Sequence, residues 1–210
     1  MYPAKNVVTS EDQIRSVIPG VFESQTHKFI DHIDDLVAAW IARSTFVTLA
    51  THDAQGRVDV SPKGDPAGFV KVLDKNTLAI PDRPGNHRFD SFLNILETGR
   101  IGVVFLVPNR NEVVRVNGTA RVVRDEDVRA HCAIKGRVPD FAILVDVEEA
   151  FYHCGKSIIR SRLWHPEEAG SIDALPSYAE ALKAHADLST DLAELERRMD
   201  NNDQNRLYDE

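Results

Sequence analysis

A run of short β-rich segments separated by turns constrains the fold of this chain more than any other feature. In 45-TFVTLATHD-53 and 57-RVDVSP-62, two such segments flank the turn Asp53-Ala54-Gln55-Gly56, which is typical of a β-hairpin. Further β-rich segments follow at 69–74, 76–81, 100–108, 113–123 and 141–154. We therefore predict about six strands, mostly in hairpins, that form one antiparallel barrel.

Segments with helical patterning flank and interrupt these strands. The stretch 9–18 begins with capping residues and ends at Pro19-Gly20, and 27–44 carries apolar residues at helical spacing. Further helices are expected at 88–99, 124–136 and 176–200, a helix or turn at 155–164, and a frayed polar tail at 201–210. We predict one domain over 1–210, with N-terminal helices at 1–44, the barrel at 45–154 and C-terminal helices and tail at 155–210. The fold class is mainly β with peripheral helices (α+β).

Composition excludes several classes of function. The formal net charge is -8 and the sequence pI about 5.5, which argues against bulk attraction to nucleic acid or an anionic membrane. Two cysteines, Cys132 and Cys154, do not make a disulfide scaffold. The N-terminal residues lack the apolar core of a signal peptide, and no apolar run reaches the length of a membrane span. We expect a cytoplasmic protein that binds neither nucleic acid nor membrane.

The most informative stretch is 80-IPDRPGNHRFDS-91, which crowds charged side chains around a Pro-Gly turn before a helix. Arginine side chains match phosphate oxygens in pairs, and helix N-termini attract anions through unpartnered N–H groups. Arg83, Gly85, Asn86 and Arg88 therefore indicate a phosphate site. The alternative is a solvated loop whose charges pair with neighbouring aspartates.

Two other segments carry weaker signals. In 58-VDVSPKGDPAGF-69, Ser61 and Lys63 lie where a strand leaves the sheet, and Lys63 is a candidate cation for the same phosphate; the alternative is an ordinary turn. In 152-YHCGKSIIRSRLW-164, basic residues precede Trp164. One interpretation is a lid, or a wall contributed by a partner subunit, over a cofactor. The other is a helix whose apolar face packs in the core and whose basic residues are exposed to solvent.

Metal and nucleotide-binding motifs are weak by comparison. The dipeptides His131-Cys132 and His153-Cys154 lack the spacing of zinc ligands, so we predict no metal site. No partner pattern marks Cys154 as a nucleophile. The sequence has neither a Walker A motif nor G-x-G-x-x-G, so it favours neither a P-loop nor a Rossmann fold.

Taken together, several blocks resemble the pyridoxamine 5'-phosphate oxidase-like superfamily. They are 60-VSPKGDPAGF-69, 78-LAIPDRPGNHRFDSFLNIL-96, 101-IGVVFLVP-108 and 113-VVRVNGTARVV-123. The blocks 153-HCGK-156 and 160-RSRLW-164 resemble, more narrowly, a subgroup of predicted FMN-dependent enzymes. The resemblance covers roughly residues 30–165, and its specificity comes from the combination of blocks.

This resemblance implies an FMN-binding split β-barrel that forms a homodimer, with FMN at the subunit interface. It places Lys63 at the flavin phosphate region, and the backbone of Val60, Ser61 and Pro62 along the edge of the flavin ring. The phosphate cradle corresponds to Ile80, Pro81, Arg83, Asn86, His87 and Arg88. Lys156, Ser157, Arg160 and Trp164 are expected to complete the site from the other subunit.

The sequence also departs from the oxidases that act on pyridoxine phosphate. Those enzymes carry a C-terminal Arg-x-His motif and a glutamine near the position of Val113, whereas this chain ends in an acidic helix and tail. We therefore do not expect it to make pyridoxal phosphate. The leading hypothesis is an FMN-dependent oxidoreductase of unidentified substrate, with a deazaflavin still open as the cofactor. The alternatives are a non-catalytic flavin- or haem-binding protein of the same fold and a dimeric scaffold with an empty barrel.

Overall fold

A computed structural model describes residues 2–18 and 20–209 of the chain, so the expected helix stop at Pro19 lies outside the described residues. The helices are α1 (Glu11–Val17), α2 (Glu23–Thr26), α3 (Asp35–Ile41), α4 (Asp90–Thr98), α5 (Glu126–His131), α6 (Lys156–Ser161), α7 (Tyr178–His185) and α8 (Leu192–Asn205). The strands are β1 (Phe46–His52), β2 (Val58–Gly64), β3 (Lys71–Asp74), β4 (Thr77–Pro81), β5 (Arg100–Leu106), β6 (Val113–Val123) and β7 (Ala142–His153).

All seven strands belong to one antiparallel sheet in the order β2-β1-β5-β6-β7-β4-β3. The β1–β2 and β3–β4 pairs are hairpins, as the turn residues predicted. The two longest strands, β6 and β7, pair along their whole length and form the middle of the sheet. The expectation of a mainly β protein with peripheral helices is confirmed.

The expected six-stranded barrel is not confirmed. The sheet has seven strands, one for each of the seven β-rich segments of the sequence, rather than about six. Within the described residues, β2 and β3 stand at opposite ends of the strand order and are not paired with each other, so the sheet is not closed into a barrel. One consequence is that β2, which carries Lys63, is an edge strand.

A single apolar cluster joins the sheet to helices α3 and α4. Its fully buried members include Leu49, Phe105, Val114, Val116 and Val145 from the strands. Val37 and Ile41 of α3, and Phe92 and Ile95 of α4, pack into the same cluster. Burial of this apolar surface is the main stabilising contribution, and it fixes the start of α4 against the sheet.

The helix expected over 27–44 is wrong in its first half. Ile30 instead pairs with Ala150 of β7, donating its N–H over 3.0 Å and accepting from Ala150 N–H over 2.7 Å. The helix begins only at Asp35, after the Asp34 carboxylate accepts a hydrogen bond from Val37 N–H. Sheet pairing therefore overrides the helical periodicity of 27–34.

The C-terminal region also differs from expectation. The helix predicted over 176–200 is two helices, α7 and α8, with Asp187 in the left-handed region at φ 49° between them. The tail is not frayed as predicted, because α8 extends to Asn205 and the Tyr208 hydroxyl donates a hydrogen bond to Asp65 over 2.6 Å. In the part of the chain that the structure describes, no helix combines the length and the hydrophobicity needed to cross a membrane.

Candidate functional site

A cavity of about 250 Å³ lies where the edge strand β2 meets the turn that leads from β4 into α4. These two segments are distant in sequence, and the fold brings them together because α4 packs against β1 and β2. The lining residues are Asp59, Val60, Ser61, Pro62, Lys63, Asp82, Arg83, Gly85, Asn86, His87, Phe89, Asp90, Ser91 and Phe92. Two of the three segments singled out in the sequence thus form one cavity.

Side chains along β2 alternate between a half-buried face and an exposed face. Asp59, Ser61 and Lys63 are half-buried, whereas Val58 and Val60 on the opposite face are exposed. This is the period of two that a strand imposes on its side chains. Polar groups of β2 therefore share one face, and its apolar side chains form a separate exposed surface.

The backbone of the turn before α4 takes an uncommon conformation. His87 and Phe89 both have φ 57°, in the left-handed region that residues with a Cβ rarely adopt. The expected helix start near 87 or 88 is therefore shifted to Asp90, since these two residues interrupt helical geometry. Phe89 is the N-cap and offers no side-chain hydrogen bond to the first turn of α4. An uncapped helix start facing a cavity can receive an anion.

Arg83 is held by the protein itself. Its Nε donates to Asp65 Oδ2 over 2.6 Å, and its Nη2 donates to the carbonyl oxygen of Cys132 over 2.9 Å. The side chains of Arg83 and Asp65 are 17% and 1% exposed. Arg83 lines the cavity, but these bonds commit much of its hydrogen-bonding capacity to fixing the turn.

Arg88, by contrast, forms an exposed pair with Asp90. Its Nε lies 2.7 Å from Asp90 Oδ2 and its Nη2 lies 3.2 Å from Oδ1. The hydrogen bond to Asp90 raises the pKa of Arg88, and the same bond lowers the pKa of Asp90. Exposed ion pairs contribute little to stability, so an incoming anion can replace this partner at small cost.

Three carboxylates also line the cavity, and each has a partner or a perturbed pKa. Asp59 accepts a hydrogen bond from Ser91 Oγ over 2.9 Å, and Asp90 is paired with Arg88. Burial raises the pKa of Asp82, although the nearby charge of Lys63 opposes that shift. The hydrogen bonds from Ser91 and Arg88 partly offset the negative charges of Asp59 and Asp90, so an anion can still bind in the cavity. The protonation of Asp82 depends on the charges that occupy the cavity.

Several residues expected at the site lie elsewhere. Ile80 and Pro81 are buried in β4 and do not line the cavity. Lys156, Ser157 and Arg160 lie on or near the exposed face of α6, and Trp164 follows that helix; within one described chain none of these four lines the cavity. The Trp164 indole N–H donates to the carbonyl oxygen of Arg110 over 2.7 Å.

The position of α6 is fixed by a close approach at Gly155. A Cβ added at Gly155 would lie 2.6 Å from backbone atoms of Asn111, so only glycine fits there. The special turn that the sequence suggested at Gly155 is therefore a contact between the start of α6 and the β5–β6 turn. This contact presents the basic helix on the surface of the chain.

Sequence reasoning missed part of the cavity. Asp59, Phe89, Ser91 and Phe92 line it but were not singled out. The alternation of β2 places Asp59 on the same face as Ser61 and Lys63 and was a usable signal. The bond between Asp65 and Tyr208 carried no such signal, since 143 positions separate the two residues.

One comparison with known proteins identifies a family. The family model described as "Pyridoxamine 5'-phosphate oxidase" matches residues 33–154, more than half of the chain. A search among curated proteins finds no match.

Among solved structures, the chain is similar to HupZ of Group A Streptococcus, with 22% identity over 57% of this chain and 93% of HupZ and a TM-score of 0.48. A candidate pyridoxamine 5'-phosphate oxidase of Lactobacillus delbrueckii is 26% identical over 58% of this chain and 95% of that protein, with a TM-score of 0.46. HutZ of Vibrio cholerae, described as a heme storage protein, is 15% identical over 57% of this chain and 92% of HutZ, with a TM-score of 0.42.

Proposed function

Because the chain belongs to the pyridoxamine 5'-phosphate oxidase family, we propose that its cavity between β2 and α4 holds the phosphate end of FMN and that the protein is an FMN-dependent oxidoreductase. The family resemblance inferred from the sequence is confirmed, whereas the cofactor and the reaction are our proposal. The observation that carries it is the convergence of Lys63, the 82–89 turn and the uncapped start of α4 on one cavity.

The polar groups of the cavity fit a phosphate. Lys63 supplies a cation from the strand end, and Arg88 supplies a guanidinium whose present partner, Asp90, is exposed and exchangeable. The start of α4 adds backbone N–H groups and the positive end of a nine-residue helix. Asn86 and His87 stand between these elements, and the backbone of Val60, Ser61 and Pro62 is proposed to follow the flavin ring.

When bound, the flavin would supply the redox chemistry. The chain's own residues would bind and orient it. The Ser61 backbone N–H is the candidate for stabilising negative charge at the edge of the ring, because it belongs to β2 at the cavity wall; the Lys63 ammonium would take that role only if the start of α4 and Arg88 hold the phosphate without it. The reducing substrate and the electron acceptor are not specified by this site.

The size and surroundings of the cavity favour a homodimer. Its volume of about 250 Å³ is below the range of roughly 300–1,000 Å³ that small-molecule sites occupy, so another wall is needed for a whole flavin nucleotide. The two elements that border it carry exposed apolar side chains, namely Val58 and Val60 on the edge strand β2 and Leu93 and Leu96 on α4. We propose that a second copy covers this surface and contributes Lys156, Ser157, Arg160 and Trp164. A monomer with tight FMN binding in sedimentation would contradict this part.

The first test is the visible spectrum of the purified protein, followed by identification of any chromophore that heating releases. Released FMN supports the proposal, and reduction of the bound flavin by a nicotinamide or another reductant then tests for an oxidoreductase. A coloured protein that no reductant turns over, or one that releases haem, favours the alternative of a non-catalytic flavin- or haem-binding protein. A colourless protein that takes up neither added FMN nor added haem overturns both.

The second test replaces Lys63 and Arg88 together by alanine. We expect the dissociation constant for FMN to rise about 100-fold or more, since charge-assisted hydrogen bonds to phosphate are among the strongest polar contacts. Thermal unfolding should change little, because neither side chain is fully buried. Arg121→Ala is a matched control, since its exposed guanidinium pairs with Asp146 outside the cavity lining. Unchanged FMN affinity in the double variant would refute the phosphate assignment.

A further inference from the structure

The last residues of the described chain dock onto the protein beside the candidate cofactor site. The Tyr208 hydroxyl donates to Asp65 over 2.6 Å, and Lys135 Nζ lies 5.0 Å from the centre of the Tyr208 ring. Arg137 pairs with Asp209. Tyr208 and Asp209 are adjacent in sequence, and they contact two separate segments, one at Asp65 and one at 135–137. The tail therefore has a defined position on the protein.

Asp65 is the junction between the tail and the cavity wall. Its side chain is 1% exposed, and a buried carboxylate is unfavourable unless charged or polar partners satisfy it. Arg83 satisfies Oδ2 and Tyr208 satisfies Oδ1, each over 2.6 Å. Loss of the Tyr208 hydroxyl would therefore leave one carboxylate oxygen short of a donor in a position that solvent scarcely reaches.

Arg83 transmits this restraint to residues 82–86, the first part of the 82–89 turn that borders the cavity. It follows Asp82 directly, and its Nη2 also reaches the carbonyl oxygen of Cys132 over 2.9 Å. The bonds from Tyr208 through Asp65 and Arg83 to Cys132 thus join four segments of the chain. A second cavity, of about 290 Å³, shares Asp82 and Arg83 with the first and is also lined by Tyr208.

We propose that Tyr208 is a positioning residue for the candidate cofactor site, acting through Asp65 on Arg83 and hence on the 82–86 turn. This inference rests on the proposed function, because the quantity it controls is the affinity for FMN. It assigns a role to the acidic C-terminal segment, which the family resemblance leaves without one. It also predicts reciprocity, since a tail that favours the FMN-binding arrangement must itself be favoured when FMN is bound.

The test is Tyr208→Phe in the full chain, which removes the hydroxyl and keeps the ring over Lys135. We expect FMN affinity to fall about fivefold to tenfold, which lies within the range of couplings between members of one hydrogen-bond network. Amide exchange in the 82–86 turn should become faster. Tyr178→Phe is the matched control, since Tyr178 is exposed on α7 and should leave both quantities unchanged. If the variant unfolds at a lower temperature but binds FMN as the wild type does, Tyr208 is merely structural and the proposal is overturned.

Reciprocity gives a readout that needs no enzyme activity. Carboxypeptidase should trim the wild-type tail more slowly when FMN is saturating, and this protection should be lost in Tyr208→Phe. Protection by FMN in both proteins, or in neither, contradicts the coupling. If the wild type takes up no FMN at all, the proposed function fails and the inference fails with it. If the wild type binds FMN and the Tyr208→Phe variant binds it equally well, the inference fails and the proposed function stands.

Discussion

Arg83 and Arg88 lie five positions apart in the same turn, and the sequence assigned both to one phosphate cradle. The structure separates them. Arg83 is 17% exposed and bonded to a carboxylate that is itself 1% exposed, whereas Arg88 is 70% exposed and paired with an Asp90 side chain that is 41% exposed. Two arginines that the sequence assigned to the same role thus have different physical surroundings.

The physical difference between the two ion pairs is the burial of the acidic partner. A buried ion pair is fixed, because removing either member strands the other charge away from water. An exposed pair exchanges partners readily, because water and salt already screen it. We therefore propose that Arg83 holds the turn in place and that Arg88 contacts the phosphate.

The largest effect that this comparison predicts is on stability. Asp65→Ala should lower the free energy of unfolding by about 3 kcal/mol, since it leaves the Arg83 guanidinium without its buried partner. Asp90→Ala is the matched control and should leave the urea midpoint nearly unchanged, because its pair with Arg88 is exposed. Urea unfolding followed by circular dichroism measures both. An equal loss of unfolding free energy in the two variants would contradict the claim that only the Arg83 pair is structural.

The next effect is on ligand affinity and should fall on the other arginine. Arg88→Gln should weaken FMN binding about tenfold, because a charged bidentate donor is replaced by a neutral one. Asp90→Asn should strengthen binding slightly, since Arg88 no longer has a competing carboxylate. Fluorescence quenching of added FMN gives both affinities. Binding unaffected by Arg88→Gln would mean that Lys63 and the start of α4 suffice for the phosphate.

Local sequence patterns predicted much of the fold and part of the site. Each β-rich segment forms a strand, and the β1–β2 hairpin and the α4 stop at Gly99 follow from residues close together in sequence. The residues offered Lys63 as one candidate partner for a phosphate at the 82–89 turn, with an ordinary turn as the alternative, and the family resemblance implied their convergence. Pairing of Ile30 with Ala150 depends on contacts distant in sequence, as does the docking of Tyr208 onto Asp65. Periodicity carries no information about such partners, which explains why 27–34 and the tail were predicted wrongly.

The smallest effect is the pH dependence of Asp82, the residue that precedes Arg83. Burial raises its pKa above the ordinary value of 3.8, so the folded protein holds this proton more tightly than the unfolded chain does. The stabilising contribution of Asp82 is then complete below that ordinary value and is lost as the pH rises through the raised one. Asp82→Asn should therefore raise Tm at pH 7 by about 2 °C, and the gain should vanish in acid.

Asp90→Asn provides a control of opposite sign for this prediction. Arg88 lowers the pKa of Asp90, so the Asp90 carboxylate stabilises the fold above its ordinary pKa and loses that contribution as the pH falls through the lowered value. The Asp90→Asn variant should accordingly melt slightly below the wild type at pH 7 and level with it in strong acid. Thermal unfolding curves across this pH range compare the two variants directly. If both variants shifted Tm in the same direction at pH 7, burial and pairing would not be the causes that distinguish the Arg83 end of the turn from the Arg88 end.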